Sequence, residues 1–402
     1  MVRKKRIGIL TGGGDVPGLN SVIKTVVYRC TESPHDYDIV GIRRGWEGLT
    51  HLHADRRLDA EYVMPLDRDN TRTIDRTGGT YLHTSRTNPA KMDPAFMPPH
   101  LTDQLGNCRE FKSPDKNGQE RTYYDVTAVV RDNLERLQID HLIAIGGDDT
   151  LSYAARLHAS GFPVLAVPKT MDNDVRNTEY CIGFSTAMTR AVEAISRLRT
   201  TVGSHERFGI LRIFGRDAGF TALYAAYVTS LRCCIPEFTF SLQTLIDLLA
   251  TDKRENPSRY AMVLLSEGAA WEGYQVQEYG EPDGYGHRKK LSVAEAFAHE
   301  IEQQYRFSTL VADLTYELRG GEADFFDKLA GISFATTACQ CLFDGEFGRM
   351  MAVRQGRFAV TDIPDPASGP RRVDVKSVYD TSRLRPRYVS MRDYPLFLLP
   401  AN

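Results

Sequence analysis

Short apolar runs that stop at a loop and pass straight into an amphipathic stretch recur along this chain, and nothing else in it constrains the fold as much. Residues 6–11 (Arg-Ile-Gly-Ile-Leu-Thr) read as a buried strand, followed by glycines and then by helical spacing of Val22, Ile23, Val26 and Val27. Val126, Val129, Val130, Leu134 and Leu137 share one helix face. Residues 141–145 are the next strand, 151–157 the next helix and 164–167 a further strand. Helix-length segments follow at 186–199 and 218–228, with strands at 208–214 and 260–265. Strand–helix alternation of this kind predicts an α/β protein with mostly parallel sheet and helices on both faces. No internal repeat is evident.

Composition bounds the function. A chain of 402 residues is long enough for two or three domains or one large α/β assembly. Fifty Lys and Arg against 52 Asp and Glu give a net charge of −2, which argues against a non-specific nucleic-acid binder. No apolar run approaches the ~18–20 residues of a membrane span. The basic start, Met-Val-Arg-Lys-Lys-Arg, leads into an apolar stretch too short for a signal peptide. Seven cysteines without Cys-x-x-Cys spacing indicate neither a disulfide framework nor a zinc site, so a cytoplasmic location is expected. Two stretches break the rhythm. Residues 88–121, rich in Pro, Gly and charge, read as a long solvated surface loop. The part from Gln355 reads as an extended tail whose apolar end, 394–400, docks on the body.

Ligands of open α/β sheets bind beyond the carboxyl ends of the strands, and three such ends carry suitable chemistry. The first, Thr11-Gly12-Gly13-Gly14-Asp15-Val16-Pro17-Gly18, lets backbone N–H groups approach an anion at a helix start. It is neither a Walker A loop nor a G-x-G-x-x-G fingerprint. The second is Ile145-Gly146-Gly147-Asp148-Asp149-Thr150. One acid would cap the helix; two suggest a hard cation such as Mg²⁺ shared with substrate phosphates. The third, Pro168-Lys169-Thr170-Met171-Asp172-Asn173-Asp174, packs a lysine, a hydroxyl and two acids into one turn. A carboxylate there can take a proton from a hydroxyl while the ammonium screens phosphoryl oxygens.

These three loops, in this order, resemble the phosphofructokinase family, and the resemblance runs from residue 7 to about 347. Gly78-Gly79-Thr80, Thr84-Ser85-Arg86-Thr87-Asn88-Pro89, Ser204-His205-Glu206-Arg207, Phe214-Gly215-Arg216-Asp217-Ala218-Gly219-Phe220 and Ser266-Glu267-Gly268 agree with it. Within the family, ATP-using members typically carry glycine where Asp149 stands. Asp149 would clash with a nucleotide α-phosphate, and with Lys169 it resembles the pyrophosphate-using branch.

The resemblance implies the following roles. Gly13, Gly14 and Gly147 cradle the diphosphate, with Arg86 as a donor-side cation. Asp148 binds Mg²⁺. Asp172 is the general base on the 1-hydroxyl of fructose 6-phosphate, while Thr170 and Asp174 orient the reacting groups. Arg216 with Gly215 looks like the family's Met-Gly-Arg element, with Phe214 in place of Met. Glu267 holds sugar hydroxyls, and Tyr316 and Arg319 look like the Tyr-x-x-Arg element that meets the sugar phosphate. Arg207 resembles an arginine that reaches the site of a neighbouring subunit, which implies a homo-oligomer, dimer or tetramer. A further upstream arginine has no clean match, Arg306 standing nearest.

The expected architecture is two Rossmann-like lobes with the active site in the cleft between them: 1–180 with 316–402 for pyrophosphate and Mg²⁺, and 181–315 for the sugar phosphate. The expected reaction is reversible transfer from pyrophosphate to fructose 6-phosphate, giving fructose 1,6-bisphosphate and phosphate. The alternatives are an ATP-dependent phosphofructokinase and a non-catalytic regulatory homologue. A dinucleotide kinase shares the Gly-Gly-Asp theme but leaves the loop at 168–174 unaccounted for. Cys233 and Cys234 read as small buried hydrophobes, Trp46 and Trp271 as packing residues, and Arg43–Arg44 as a solvated pair.

Overall fold

The apolar runs become the strands of two separate sheets. The computed structural model describes residues 3–35, 37–52, 60–102, 105–114, 120–274, 278–280, 284, 288–388 and 392. In chain order the principal strands are β1 (Arg6–Thr11), β2 (Asp38–Ile42), β3 (Val63–Pro65), β4 (His141–Gly146), β5 (Val164–Pro168), β6 (Phe208–Ile213), β7 (Arg232–Cys234), β8 (Ala261–Ser266), β9 (Thr309–Leu314), β10 (Arg349–Arg354) and β11 (Arg357–Asp362). The principal helices are α1 (Leu19–Thr31), α2 (Thr127–Arg136), α3 (Asp148–Ala159), α4 (Phe184–Ser204), α5 (Phe220–Thr229), α6 (Leu242–Glu255), α7 (Val293–Tyr305) and α8 (Phe325–Asp344).

The larger sheet has the order β11-β10-β5-β4-β1-β2-β3. It is parallel from β10 to β2, and the edge strands β11 and β3 run antiparallel. Successive side chains of β1 point to opposite faces. Ile7 and Ile9 therefore join Val22, Ile23 and Phe334 under α1 and α8. Leu10 joins Trp46, Val130, Tyr153 and Leu157 under α2 and α3. With both faces covered, β4 and β5 are buried along their whole length. The smaller sheet, β9-β6-β8-β7, is parallel throughout and packs with α4 to α7.

The chain returns to the larger sheet after completing the smaller one, and β10 pairs with β5 through Arg349–Leu165 and Met350–Ala166. The expected division puts everything after residue 315 with the larger sheet. Residues 371–387 instead lie across the smaller one. The Tyr379 hydroxyl donates to Cys233 O at 2.6 Å, and Cys233 N donates to Leu384 O at 2.9 Å. Apolar Val373, Val378, Tyr379 and Leu384 are buried there, which is what holds the segment down.

The excursion at 88–121 is not a loop throughout. Its strand Arg109–Pro114 pairs antiparallel with Glu120–Asp125, and its Met92 and Leu101 form a small core with Val126 and Val129 just beyond it. Proline and charge hid this because charged side chains take half the positions of the two strands, leaving no apolar alternation to read. Cys233 and Cys234 are buried, as are Trp46 and Trp271. Arg44 pairs with Glu47 and Glu61, and Arg43 Nη2 lies 2.8 Å from His83 Nε2, so both guanidinium groups have surface partners. The segment 394–400 lies outside the described residues. Among the described residues no helix is long and apolar enough to cross a membrane.

Candidate active site

Parallel strands deliver their C-terminal ends to one side, and the loops leaving β1, β4, β5, β6 and β8 meet in a cleft of about 240 Å³. Gly13, Gly14, Arg86, Gly147, Asp148, Asp149, Lys169, Thr170, Asp172, Asp174, Arg216, Glu267 and Arg319 all line it. A roomier hollow of about 720 Å³ lies at the opposite, N-terminal ends of the strands, among Arg3, Arg131, Glu135 and Phe162. It gathers none of the perturbed acids described below.

The glycine loop is shaped by what approaches it. Gly13 has φ +77°, and a Cβ there would stand 3.1 Å from Lys169 Nζ. Lys169 donates to Gly14 O at 2.6 Å, and Thr84 Oγ1 donates to Gly13 O at 2.6 Å. The loop is thus braced from both sides with the lysine beneath it. Lys169 is only 3% exposed. Burial, then the Arg319 and Arg86 charges, lower its ammonium to about 7.

Gly147 precedes α3 without a side-chain cap, leaving Asp148 and Asp149 in the first helical turn. Burial and the Asp149 charge push the Asp148 carboxyl up to about 7, with Asp217 and Asp172 adding to the effect. Asp172 is raised to about 8 by burial and by Asp174 and Glu267, against the pull of Arg319 and Arg216. Asp174 is raised to about 7, by burial first and Asp148 next. Thr170 Oγ1 accepts the Asp172 backbone N–H at 3.1 Å, and one Asp172 carboxylate oxygen, Oδ1, is buried without a partner. Crowded carboxylates with an orphaned oxygen are what a cation and a substrate hydroxyl would satisfy.

On the other wall, Arg216 faces Glu267 at 3.8 Å. Arg319 lies 4.6 Å from the Phe214 ring and 5.5 Å from the Tyr316 ring, with Nε 3.4 Å from Met171 Sδ. Tyr316 itself is 70% exposed and stands at the rim, edge-on to Phe214. Gly215 lies behind the wall, where its φ of +129° lets Gly268 N donate to its carbonyl at 3.0 Å. Arg207 is not in this cleft. It precedes β6, whose opposite end carries Phe214, and Arg306 likewise precedes the neighbouring β9, which pairs with β6 at Phe208–Thr309. Both arginines therefore sit at the N-terminal ends of these strands, opposite the cleft. Val16, Thr150, Met171, Phe214, Asp217 and Pro370 also line the cleft and were given no role from sequence. Asp217 was within reach of such reasoning, because it adjoins Arg216; Pro370 was not, lying in a tail with no motif.

Comparison with known proteins agrees with the geometry. The family described as Phosphofructokinase matches residues 6–342. The chain is 37% identical over 352 residues to the pyrophosphate–fructose 6-phosphate 1-phosphotransferase of Amycolatopsis methanolica, spanning 87% of this chain and 90% of that one. It is 33% identical over 363 residues to the enzyme of the same name from Dictyoglomus thermophilum, spanning 90% and 92%. ATP-dependent 6-phosphofructokinase 3 of Streptomyces coelicolor is 33% identical over 362 residues, spanning 90% and 94%. In structure, the pyrophosphate-dependent phosphofructokinase of Marinobacter aquaeolei superposes with a TM-score of 0.73 at 16% identity, spanning 97% of this chain and 90% of that one, which shows a shared fold. With its sequence matched over most of its length and its loops gathered at one cleft, this chain belongs to the phosphofructokinase family.

Proposed function

We propose that this cleft transfers a phosphoryl group reversibly between pyrophosphate and the 1-hydroxyl of fructose 6-phosphate, yielding fructose 1,6-bisphosphate and phosphate. The observation that carries the choice of donor is Asp149. It stands beside Asp148 in the first turn of α3 and lines the same cleft as Gly13 and Gly14, where its carboxylate would repel a nucleotide α-phosphate. Diphosphate needs only the volume between Gly13, Gly14, Gly147, Arg86 and Lys169.

The Asp172 oxygen without a partner takes the proton as the sugar O1 bonds to phosphorus and the bridging P–O bond of the diphosphate breaks. Its raised affinity for protons, held in check by Arg216 and Arg319, suits a base near neutral pH. Lys169 offsets charge on the phosphoryl oxygens, and Asp174 with Thr170 keeps Asp172 in line. Arg319, lying against the Phe214 and Tyr316 rings, reaches for the sugar phosphate, and Glu267 for its hydroxyls. Among the described residues no cluster of three or more His, Cys, Asp or Glu is arranged for a metal. One or two carboxylates completed by diphosphate oxygens is what Mg²⁺ asks for, and Asp148, raised by the Asp149 and Asp217 charges beside it, fits it. Asp148 would hold the ion, which when bound neutralises diphosphate charge.

The seven-stranded part would bind diphosphate and the four-stranded part the sugar phosphate, with residues 371–387 laid over the latter. The position of Arg207 opposite the cleft suits a contribution to a neighbouring subunit of a homo-oligomer. All seven cysteines are free thiols, which suits action in the reducing cytoplasm.

Initial rates with fructose 6-phosphate, Mg²⁺ and either pyrophosphate or ATP test the reading in wild type, Asp149→Gly and Asp172→Asn. Turnover with pyrophosphate alone, reduced in Asp149→Gly and abolished in Asp172→Asn, is expected. Turnover with ATP alone would replace the donor with that of the Streptomyces coelicolor relative, and turnover with neither would favour a regulatory role.

A further inference from the structure

The acids of the loop at 172–174 are held from behind by a residue outside every motif. Arg371 is only 2% exposed. Its backbone N–H donates to Asp174 O at 2.6 Å, and its Nη2 donates to Asn173 O at 2.5 Å. The guanidinium lies 4.4 Å from the Phe220 ring, at the start of α5. Asn173 has φ +53°, a left-handed conformation, and its side chain is tied to Glu179 O at 3.0 Å and to the Cys181 N–H at 2.9 Å. Asn173 thus fixes the outer limb of the turn, and Arg371 takes up the carbonyls that point away from the cleft.

The same segment reaches the opposite wall. Val373 N donates to Glu237 Oε1 at 2.8 Å, and Glu237 also accepts the Gly219 N–H at 3.0 Å. Gly219 closes the turn that carries Arg216 and Asp217. Pro370, next to Arg371, lines the cleft directly. One short stretch therefore backs both the acidic loop and the arginine loop. A buried cation is costly unless its neighbours compensate, so a structural pin alone would be served better by an apolar side chain. Arginine is the side chain that can donate to two carbonyls, here Asn173 O and, at 3.5 Å, Glu179 O, and lie on a ring at once.

We propose that Arg371 is a positioning residue for phosphoryl transfer, fixing the Asn173–Asp174 backbone so that Asp172 and Asp174 keep their aim while the segment it belongs to couples the two walls of the cleft. The proposal rests on the phosphotransferase reading of that cleft.

The test compares steady-state kinetics and thermal melting of wild type, Arg371→Met, Arg371→Lys and Tyr379→Phe. Tyr379→Phe loosens the same segment by removing the hydroxyl bond to Cys233 O, without touching the loop. Both Arg371 variants should lose kcat by about thirtyfold, with KM for either substrate changed by less than about threefold, because misaim of a fraction of an ångström acts on the chemical step. Tyr379→Phe should lower Tm and leave kcat within about twofold of wild type. Arg371→Lys keeps a buried cation, so it serves if Arg371→Met does not fold. Arg371 variants that melt earlier but keep wild-type kcat, or a Tyr379→Phe variant that loses kcat in parallel with them, would overturn the inference alone. Absence of wild-type turnover with any donor would overturn it together with the reading beneath it.

Discussion

Gly14 and the Arg319 guanidinium compete for one volume: a Cβ on residue 14 would lie 2.8 Å from Arg319 Nη1. The two residues come from opposite ends of the sequence and from the two walls of the cleft. The glycine is required by its neighbour across the gap rather than by a turn of its own.

Because the displaced atom is the tip of a long side chain, Gly14→Ala should cost function rather than fold. Arg319 would swing off Phe214 and Met171. We expect kcat/KM to fall by about ten- to a hundredfold, with the free energy of unfolding changed by less than about 1 kcal/mol. Kinetics paired with urea unfolding checks it; a large loss of stability would mean that Arg319 cannot move aside.

Lys169 predicts a proton uptake. Its ammonium is lowered to about 7, and an anion beside it restores the charged form. With the lowered group mostly neutral at pH 8, diphosphate binding should draw in close to one proton. Affinity should fall by up to about tenfold per pH unit as pH rises above 7. Calorimetry of metal-free protein in two buffers of different ionisation enthalpy measures the uptake. Lys169→Met should remove that share, leaving the protonation of the ligand and of the raised acids Asp148, Asp172 and Asp174.

Asp327 gathers four donors: Tyr180 Oη at 2.5 Å, Gly183 N at 2.7 Å, Thr186 N at 2.8 Å and Thr186 Oγ1 at 2.6 Å. It is fully buried and joins α8 to the start of α4 and to the chain leaving the acidic loop. Asp327→Ala would strand these groups without water. A loss of about 3 kcal/mol or more is expected from the usual cost of buried unmade hydrogen bonds, read by urea unfolding. A loss below about 1 kcal/mol would show that water replaces the carboxylate.

The central strands and the three loops were legible because each is written in a few contiguous residues: an apolar run, then glycine, acid or lysine at a helix start. Their convergence followed from parallel strands sharing one end. What escaped sequence reasoning is carried by distance along the chain. Arg371 and Pro370 belong to a proline-rich tail with no periodicity, and only the folded backbone brings them behind Asp174. The hairpin at 109–125 was hidden because charged and aromatic side chains fill positions where alternation would show. Arg207 carried a motif, but only the direction of β6 reveals that it lies at the end of that strand opposite the cleft. The packing of residues 371–387 on the smaller sheet depends on buried Tyr379 and Leu384, which look like any isolated apolar residues when read in line.

The order of strands also sets a schedule for synthesis. When β5 leaves the ribosome its outer edge has no partner, and it gains one only after the whole smaller sheet has been made and residues 349–354 arrive. Through that interval the nascent chain carries an open, fully apolar strand edge, the kind of surface that recruits chaperones or stray strands. The backbone behind Asp174 is completed later still, when residue 371 emerges. A nascent chain of this protein therefore holds every acid and lysine of its cleft before the residue that backs the acidic loop has been made.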